Sequence, residues 1–537
     1  MNTPIYDFVT DYMNSGISRL HMPGHKGRGP LGVEIRDITE IRGADVLCEA
    51  GGIIGESEAN ATAMFGTGHS FYSTEGSSLA IRAMLFLALQ RARQMQAARP
   101  VVLAARNAHK AFLYACALLD CDIEWIYPEE TALNSVCACH PTPALVASRL
   151  REMDRRPFAV YLTSPDYLGT LADVRGITDA VRTVCESGRA AWLQGTSENK
   201  ASAEIPVLVD NAHGAYLHFL PESRHPLDLG AYMSCDSAHK TLPVLTGGAY
   251  LQVSRRAMED LGPEIRPALS LFASTSPSYL ILQSLDLCNA YLADGYPARL
   301  AGTIARIEAL KAALKASGVP VLESEPLKLV IDASLVRRDS LPGAAGTADP
   351  GAAATADPGT AGTADPGTAA EPNRSGGAYL AEILRGAGIE PEFADTDYLV
   401  LMLTPENPEE DYEKIKHALT DFCRAGGFRP ETPEGTGASS GRGFSCSGNE
   451  APAAGAAPLR LRPLPQALSV REAIFSPHEI LPVSGCIGRV CGQPTVSCPP
   501  AIPIAVSGEI ITEDVIPVFL ACGVTELSVV KQNAGQN

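Results

Sequence analysis

Two apolar runs that end in polar turns constrain this 537-residue chain more than any other feature. Ile205-Pro-Val-Leu-Val209 reads as a buried parallel strand, with an acid, Asp210, at its carboxyl end and Asn211-Ala-His213-Gly214 directly after. A second strand-like run, Leu229 to Met233, leads to Ser237-Ala-His239-Lys240-Thr241, which places Lys240 thirty residues after Asp210. A turn-rich stretch, Leu245-Thr-Gly-Gly248, and another strand-like run, Ala249 to Val253, follow. Lysine is rarely buried, and an isolated lysine here would be a solvated loop charge. The carboxyl ends of neighbouring strands, however, are where open α/β sheets bind ligands.

An acid and a lysine on adjacent strand ends are what a pyridoxal phosphate (PLP) enzyme needs. The amine condenses with the cofactor aldehyde, and the acid keeps the pyridine nitrogen protonated so that the ring acts as an electron sink. Asp210-x-Ala-His213-Gly214 and Ser237-x-His239-Lys240-Thr241 also resemble motifs of the bacterial ornithine/lysine/arginine decarboxylase family. The resemblance implies the aspartate aminotransferase type of fold: a large PLP-binding domain with a mostly parallel sheet, a smaller α/β domain, and a small C-terminal α+β domain.

Bulk properties agree with a soluble enzyme of several domains. The length exceeds what one core supports. A net charge of −18 argues against nucleic acid as a partner and is compatible with a cationic small molecule. The amino terminus has no basic start and no apolar core, so it is not a signal peptide. Nothing approaches the ~18–20 apolar residues that cross a membrane. Fourteen cysteines are scattered, and the tight pair Cys137-Ala-Cys139 beside His140 is too little for a zinc site, so no metal is expected. The chain reads as cytoplasmic, with reduced thiols.

Further motifs follow the same order as in that family. His21-Met-Pro-Gly-His25-Lys26-Gly27 is either a surface loop or an anion-binding turn. By resemblance it lies in an arm toward the active site or a dimer interface. Glu75-Gly76-Ser77-Ser78 opens a strongly helical segment, and such a turn suits a phosphate as well as it suits a plain helix cap. Gly76, Ser77 and Ser78 match the family's phosphate turn, while Glu75 stands where asparagine is usual. Asn107-Ala-His109-Lys110 ends a strand; His109 is a helix cap or, by resemblance, the ring stacked on the cofactor. Thr163-Ser164-Pro165 is a β-turn after a buried strand, and resemblance places Ser164 beside the cofactor. Ser237 is expected at the cofactor too.

The βα alternation divides the chain into an N-terminal arm at 1–50, a large PLP-binding domain at 51–295 and a small α/β domain at 296–430. The small domain holds a low-complexity insert at about 340–376, built on Thr-Ala-Asp-Pro-Gly repeats that cannot bury a core. Residues 431–457 read as a linker, and 458–537 as the C-terminal decarboxylase domain. In that last domain Cys498-Pro-Pro-Ala501-Ile-Pro and Ser507-Gly-Glu509 resemble the family's Tyr-Pro-Pro-Gly-Ile-Pro and Pro-Gly-Glu. Glu509 is thereby a candidate for the distal cation of the substrate, against the plain reading of a surface glutamate after a turn.

The expected activity is decarboxylation of a basic amino acid, arginine first, then lysine or ornithine, to the amine and CO2, in polyamine metabolism. Lys240 holds the cofactor, Asp210 its ring nitrogen, and His213 brackets the cofactor or the substrate carboxylate. Lys240 or His239 returns a proton to Cα. The chain looks like the shorter form of the family, without a preceding receiver-like domain, and a homodimer completing each site is expected over higher assemblies. Another enzyme of this fold type, an aminotransferase or carbon–sulfur lyase, would share Asp210 and Lys240. The departures at Glu75, Cys498 and Ala501 keep open a catalytically silent PLP-binding relative.

Overall fold

A computed structural model describes residues 1–92, 99–129, 133–187, 190, 192, 204–337, 375–429, 459–496 and 500–532. Two helices, α1 (Pro4–Asn14) and α2 (Ile53–Phe65), precede the main alternation. It runs β1 (His69–Ser73), α3 (Gly76–Ala92), β2 (Val101–Ala105), α4 (Lys110–Leu119), β3 (Asp122–Ile126), α5 (Pro143–Glu152), β4 (Val160–Thr163) and α6 (Val174–Ser187). Then come β5 (Val207–Asp210), β6 (Met233–Asp236), the single turn α7 (Ala238–Thr241), β7 (Ala249–Val253), α8 (Arg255–Phe272) and α9 (Tyr279–Ala293). The seven strands form one sheet in the order β1-β7-β6-β5-β4-β2-β3. β7 pairs antiparallel with both neighbours and the other strands are parallel.

Side-chain alternation explains why helices cover both faces. In β2, Val101, Leu103 and Ala105 pack with Val146 of α5 and Ile177, Val181 and Val184 of α6. Val102 and Ala104 point the other way, into the cluster around α3, α4 and α8. A parallel sheet buried on both sides needs such continuous apolar strands. Each fully buried Val or Leu stabilises the fold by about 1.5–3 kcal/mol. α6 shows the matching helical period, with Val174, Ile177, Val181 and Val184 buried while Asp179, Arg182 and Glu186 are exposed.

The strand expected at Leu229 to Met233 is displaced. Residues 225–231 form a turn, closed by Leu229 N–H to His225 O and Ala231 N–H to Pro226 O, with Gly230 at φ 98°. β6 starts at Met233 and runs through Ser234 and Asp236, both fully buried. The N-terminal segment is also docked: Ile5 and Val9 of α1 are buried, and Asp286 of α9 accepts the amides of Ile5 and Tyr6 at 2.9 Å each.

α10 (Tyr296–Ala316) leads to β8 (Val321–Leu322), β9 (Lys328–Asp332), α11 (Gly376–Gly386), β10 (Phe393–Ala394), β11 (Tyr398–Met402) and α12 (Glu409–Arg424). The four strands form an antiparallel sheet ordered β10-β11-β9-β8. The repeat insert lies outside the described residues except at its end, where Ser375 already caps α11 by accepting Ala378 N–H. The glycines there are packing residues rather than low complexity: a Cβ on Gly376 would meet Ala333 O at 2.0 Å, and one on Gly377 Asp395 O at 2.1 Å. The linker at 431–457 is likewise outside the described residues. The C-terminal part contains α13 (Val470–Phe475), β12 (His478–Pro482), β13 (Thr495–Val496), β14 (Pro503–Ala505), α14 (Ile516–Ala521) and β15 (Glu526–Val530), with β12 on β15 and β13 on β14. Among the described residues no helix is long and apolar enough to cross a membrane.

Candidate active site

The carboxyl ends of the parallel strands converge on one edge of the sheet. β5 ends at Asp210, which is 3% exposed and accepts Tyr161 O–H at 3.3 Å and Ala212 N–H at 3.2 Å, with Cys235 Sγ at 3.5 Å. The turn that follows carries His213. β6 ends at Asp236, and α7 presents Lys240, whose amide closes onto Ser237 O at 3.0 Å. Lys240 Nζ lies 3.1 Å from His213 Nε2. His213 Nδ1 is buried with no hydrogen-bond partner among the described residues.

This environment favours neutral forms. Burial pushes the Lys240 amine below its ordinary range and nearby Lys328 adds to that, while Asp210 and Glu392 act against it. Burial, then the charges of Lys240 and Lys328, hold His213 well below its usual value. A neutral amine is a nucleophile, whereas the ammonium is not.

His109 caps α4: its Nδ1 accepts Ala111 N–H at 3.1 Å, which fixes the ring plane at the mouth of β2. Burial lowers its pKa; Lys240 and Lys110 add to the effect, and Asp210 opposes it. The cap thus occupies Nδ1 alone. His239 Nδ1 donates to Gly248 O at 2.9 Å, leaving Nε2 as the basic nitrogen, and burial lowers its pKa.

The turn into α3 is built on Gly76, at φ 68°, whose N–H donates to Gly247 O at 2.7 Å. Nothing lies within 4 Å of where a Cβ on Gly76 would stand. Ser77 and Ser78 follow in the first helical turn, whose amides have no carbonyl four residues back. Glu75 is not aimed at that turn; its carboxylate accepts Ser274 N–H at 2.6 Å. Ser164, 3% exposed, accepts Ala172 N–H at 3.0 Å and donates its own amide to Asp210 O at 3.0 Å, tying the β4 end to the β5 end.

Glu509 is not a surface residue. It is 1% exposed, accepts Val506 N–H at 2.7 Å and stands 3.8 Å from Arg106 Nη2. Arg106, fully buried, donates to Pro503 O and Ile504 O, while Lys110 N–H reaches Ala501 O at 3.0 Å. The C-terminal part thus seals the β2 end beside His109. Ala501 has φ 57°, a conformation that explains why glycine is the family's choice there. Cys498 lies outside the described residues. Cys139 Sγ faces Ile126 O at 3.3 Å, and burial pushes its thiol up to about 11.

Sequence reasoning passed over several residues at this edge. Lys328 of β9 is fully buried and donates to Asp166 O at 2.7 Å, and Tyr167 O–H reaches Glu392 at 2.9 Å, so β9 and the segment before β10 pack against this edge. The Tyr167 ring meets the His213 ring edge-on, with centroids 4.7 Å apart. A lysine inside an apolar strand is a visible anomaly at 328; Asp236 and Asn211 give no comparable signal. A carboxylate, an amine, two imidazoles and a helix-opening glycine turn on one edge are a donor set that fits a group carrying a pyridine nitrogen, an aldehyde and a phosphate. The orphaned His213 Nδ1 and the open space beyond Gly76 leave polar capacity for it.

Comparisons with known proteins agree with this geometry. The family described as Orn/Lys/Arg decarboxylase, major domain, matches residues 3–411. Arginine decarboxylase of Bacillus subtilis is 25% identical over 530 residues, covering 95% of this chain and 92% of its own. An uncharacterised B. subtilis protein, YaaO, is 29% identical over 356 residues, covering 62% of this chain and 67% of its own. Among solved structures, lysine decarboxylase A from Pseudomonas aeruginosa aligns with TM-score 0.68 at 15% identity, covering 98% of this chain and 80% of that one. The Francisella novicida lysine decarboxylase gives 0.67 at 14%, with 98% and 81% covered.

Proposed function

From the premise that this chain belongs to the Orn/Lys/Arg decarboxylase family, we propose that it removes the α-carboxyl group of a basic amino acid, arginine before lysine or ornithine, releasing CO2 and the amine. The observation that carries this reading is the buried Lys240–His213 pair, 3.1 Å apart, beside Asp210. Lys240 is the attachment point for PLP, Asp210 the partner of its ring nitrogen, and His109 the ring against its face. Gly76, Ser77 and Ser78 take its phosphate, with Ser164 and Ser237 beside the ring. Bound there, PLP supplies an electrophilic carbon for the amine and a pyridinium that accepts the electron pair left when CO2 departs.

The chain's own residues do the rest. The buried edge lowers the pKa of Lys240, which raises the share of neutral amine at Nζ that can attack and later carry a proton. Neutral His213 accepts at Nε2 and keeps that amine oriented without competing for charge. His239, with Nδ1 committed to Gly248 O, offers Nε2 as the second group that returns a proton to Cα. Closure of the small domain through Lys328–Asp166 and Tyr167–Glu392 excludes water from the edge. Glu509 is the carboxylate for the distal cation, exchanging its Arg106 partner for that of the substrate.

Arginine is favoured because the relatives that span nearly the whole chain are named arginine decarboxylases. The amine product suits polyamine metabolism, and buried reduced thiols such as Cys116, Cys137 and Cys235 suit the cytoplasm. Leu20, 92% exposed, and Leu31, 80% exposed, give residues 17–35 an apolar face that suits a second copy of the chain. The test is to give the purified protein PLP with arginine, lysine or ornithine separately and identify the product by mass. One amine, lighter than its substrate by CO2, is expected; a keto acid or no product overturns the reading.

A further inference from the structure

The ends of β5 and β6 are joined by a buried polar cluster behind the site. Asp236, the last residue of β6, directly precedes Ser237, and Asn211 directly follows Asp210. Asn211 Nδ2 donates to Asp236 Oδ1 at 2.7 Å. His225 Nε2 lies 3.0 Å from Asp236 Oδ2 and 3.3 Å from Oδ1, and Gln252 Nε2 donates to Oδ2 at 3.0 Å. These four side chains are at most 1% exposed. Their orientations are fixed from outside: Leu227 N–H donates to His225 Nδ1 at 3.3 Å, so Nε2 carries the proton. Ser70 O–H donates to Gln252 Oε1 at 2.6 Å, turning the Gln252 amide nitrogen toward Asp236.

Asp236 therefore receives three donors from three directions. A carboxylate accepts on both oxygens and donates nothing; an amide of the same shape would press an N–H2 against one of those donors. Asn211 in turn builds the His213 turn, since its backbone carbonyl accepts Gly214 N–H at 2.8 Å and its backbone amide reaches Cys235 O at 3.0 Å. Asn211 Oδ1 stands 2.0 Å from where a Cβ on Gly214 would be, which accounts for glycine at that point of the motif.

We propose that Asp236 is a positioning residue that locks the β5 end to the β6 end, so that His213 and Lys240 meet in the orientation needed to capture the cofactor. It touches neither substrate nor cofactor; it acts through Asn211 and through the backbone it shares with α7. The proposal rests on the assignment of Lys240 as attachment point.

The test exchanges acid and amide. N211D sets carboxylate against carboxylate; in D236N alone Asn211 can turn its amide over, so that its otherwise unpartnered Oδ1 accepts from the new N–H2. In the double variant D236N/N211D, the amide now at position 236 accepts from His225 and Gln252 through its carbonyl, while its N–H2 donates to the carboxylate now at position 211. The bonds at 2.7 and 3.0 Å return with net charge unchanged, and only the 3.3 Å approach of His225 to the other oxygen is lost. The readouts are the rate at which PLP becomes borohydride-trapped on the Lys240 peptide, kcat and KM separately, and the melting curve. N211D is expected to slow trapping and lower kcat by about tenfold or more, the scale of one unsatisfied buried polar group, with KM little changed. The double variant returns both to within about threefold of the wild type. Wild-type trapping in folded N211D overturns the proposal, as does a double variant no better than N211D or one that fails to fold. A wild-type protein that traps PLP at Lys240 yet makes no amine would end the decarboxylase reading while leaving the trapping comparison valid.

Discussion

Lys240 Nζ and His213 Nε2 stand 3.1 Å apart, on turns that close adjacent parallel strands, so two residues separated by 27 positions share one proton-bearing contact. Because His213 is held well below its usual pKa, its ring is neutral near pH 7 and accepts from the amine rather than repelling it.

Cofactor capture should depend on pH through the Lys240 amine. Lys240 is lowered, so its neutral fraction, and the rate of PLP capture, rises with pH through a midpoint below the ordinary lysine range. Asp210 raises that pKa and Lys328 lowers it. Asp210→Asn should therefore move the midpoint further down, and Lys328→Met should move it up. Stopped-flow absorbance over about pH 6 to 10 reads both shifts, and movement in the opposite sense would contradict the electrostatic account.

Gly214→Ala should be costly even though Gly214 has φ −118°, which any residue adopts. The added methyl would meet Asn211 Oδ1 at 2.0 Å and Leu217 Cδ1 at 2.6 Å. Overpacking of this kind costs about 1–3 kcal/mol. Denaturant unfolding checks the loss, and slower cofactor capture should accompany it because the same turn carries His213.

Ala501→Gly should stabilise. Ala501 is held at φ 57° by the hydrogen bond from Lys110 N–H to its carbonyl. Relief of left-handed strain, about 1–2 kcal/mol, exceeds the added unfolded-chain entropy of glycine, about 0.4–1 kcal/mol. A higher unfolding midpoint is expected, with activity retained.

Arg106 and Glu509 form a buried pair in which neither group reaches water. Arg106→Met strands the Glu509 carboxylate and should cost about 3–5 kcal/mol, most of which Arg106→Met/Glu509→Gln should recover. Glu509→Gln alone should raise KM for the basic amino acid more than it lowers kcat. A double variant as unstable as Arg106→Met would contradict the pairing.

The sheet is legible in the sequence where strands are buried on both sides. Val101–Ala105 and Val207–Val209 are unbroken apolar runs, and the polar residues that follow them mark the edge where the candidate site lies. β6 is the exception, because apolarity alone points upstream to Leu229, while the strand itself contains Ser234 and Asp236. Asp236 finds its partners in Asn211 just after β5, Gln252 of β7 and His225 of the 225–231 turn, which no local pattern reveals. The same limit hides the destination of Glu509: the sequence places it after a turn, but only the fold brings Arg106, some 400 residues earlier, against it. His109 reads both as a cap and as a site residue because one nitrogen serves the helix and leaves the ring face free.

The most direct test is where the cofactor attaches. The purified protein would be incubated with PLP, reduced with borohydride, digested and mapped by mass. The account predicts a single modified peptide, the one containing Lys240, and its loss in Lys240→Ala together with amine production. A reduced adduct on another lysine, or amine formed by Lys240→Ala at the wild-type rate, would contradict it.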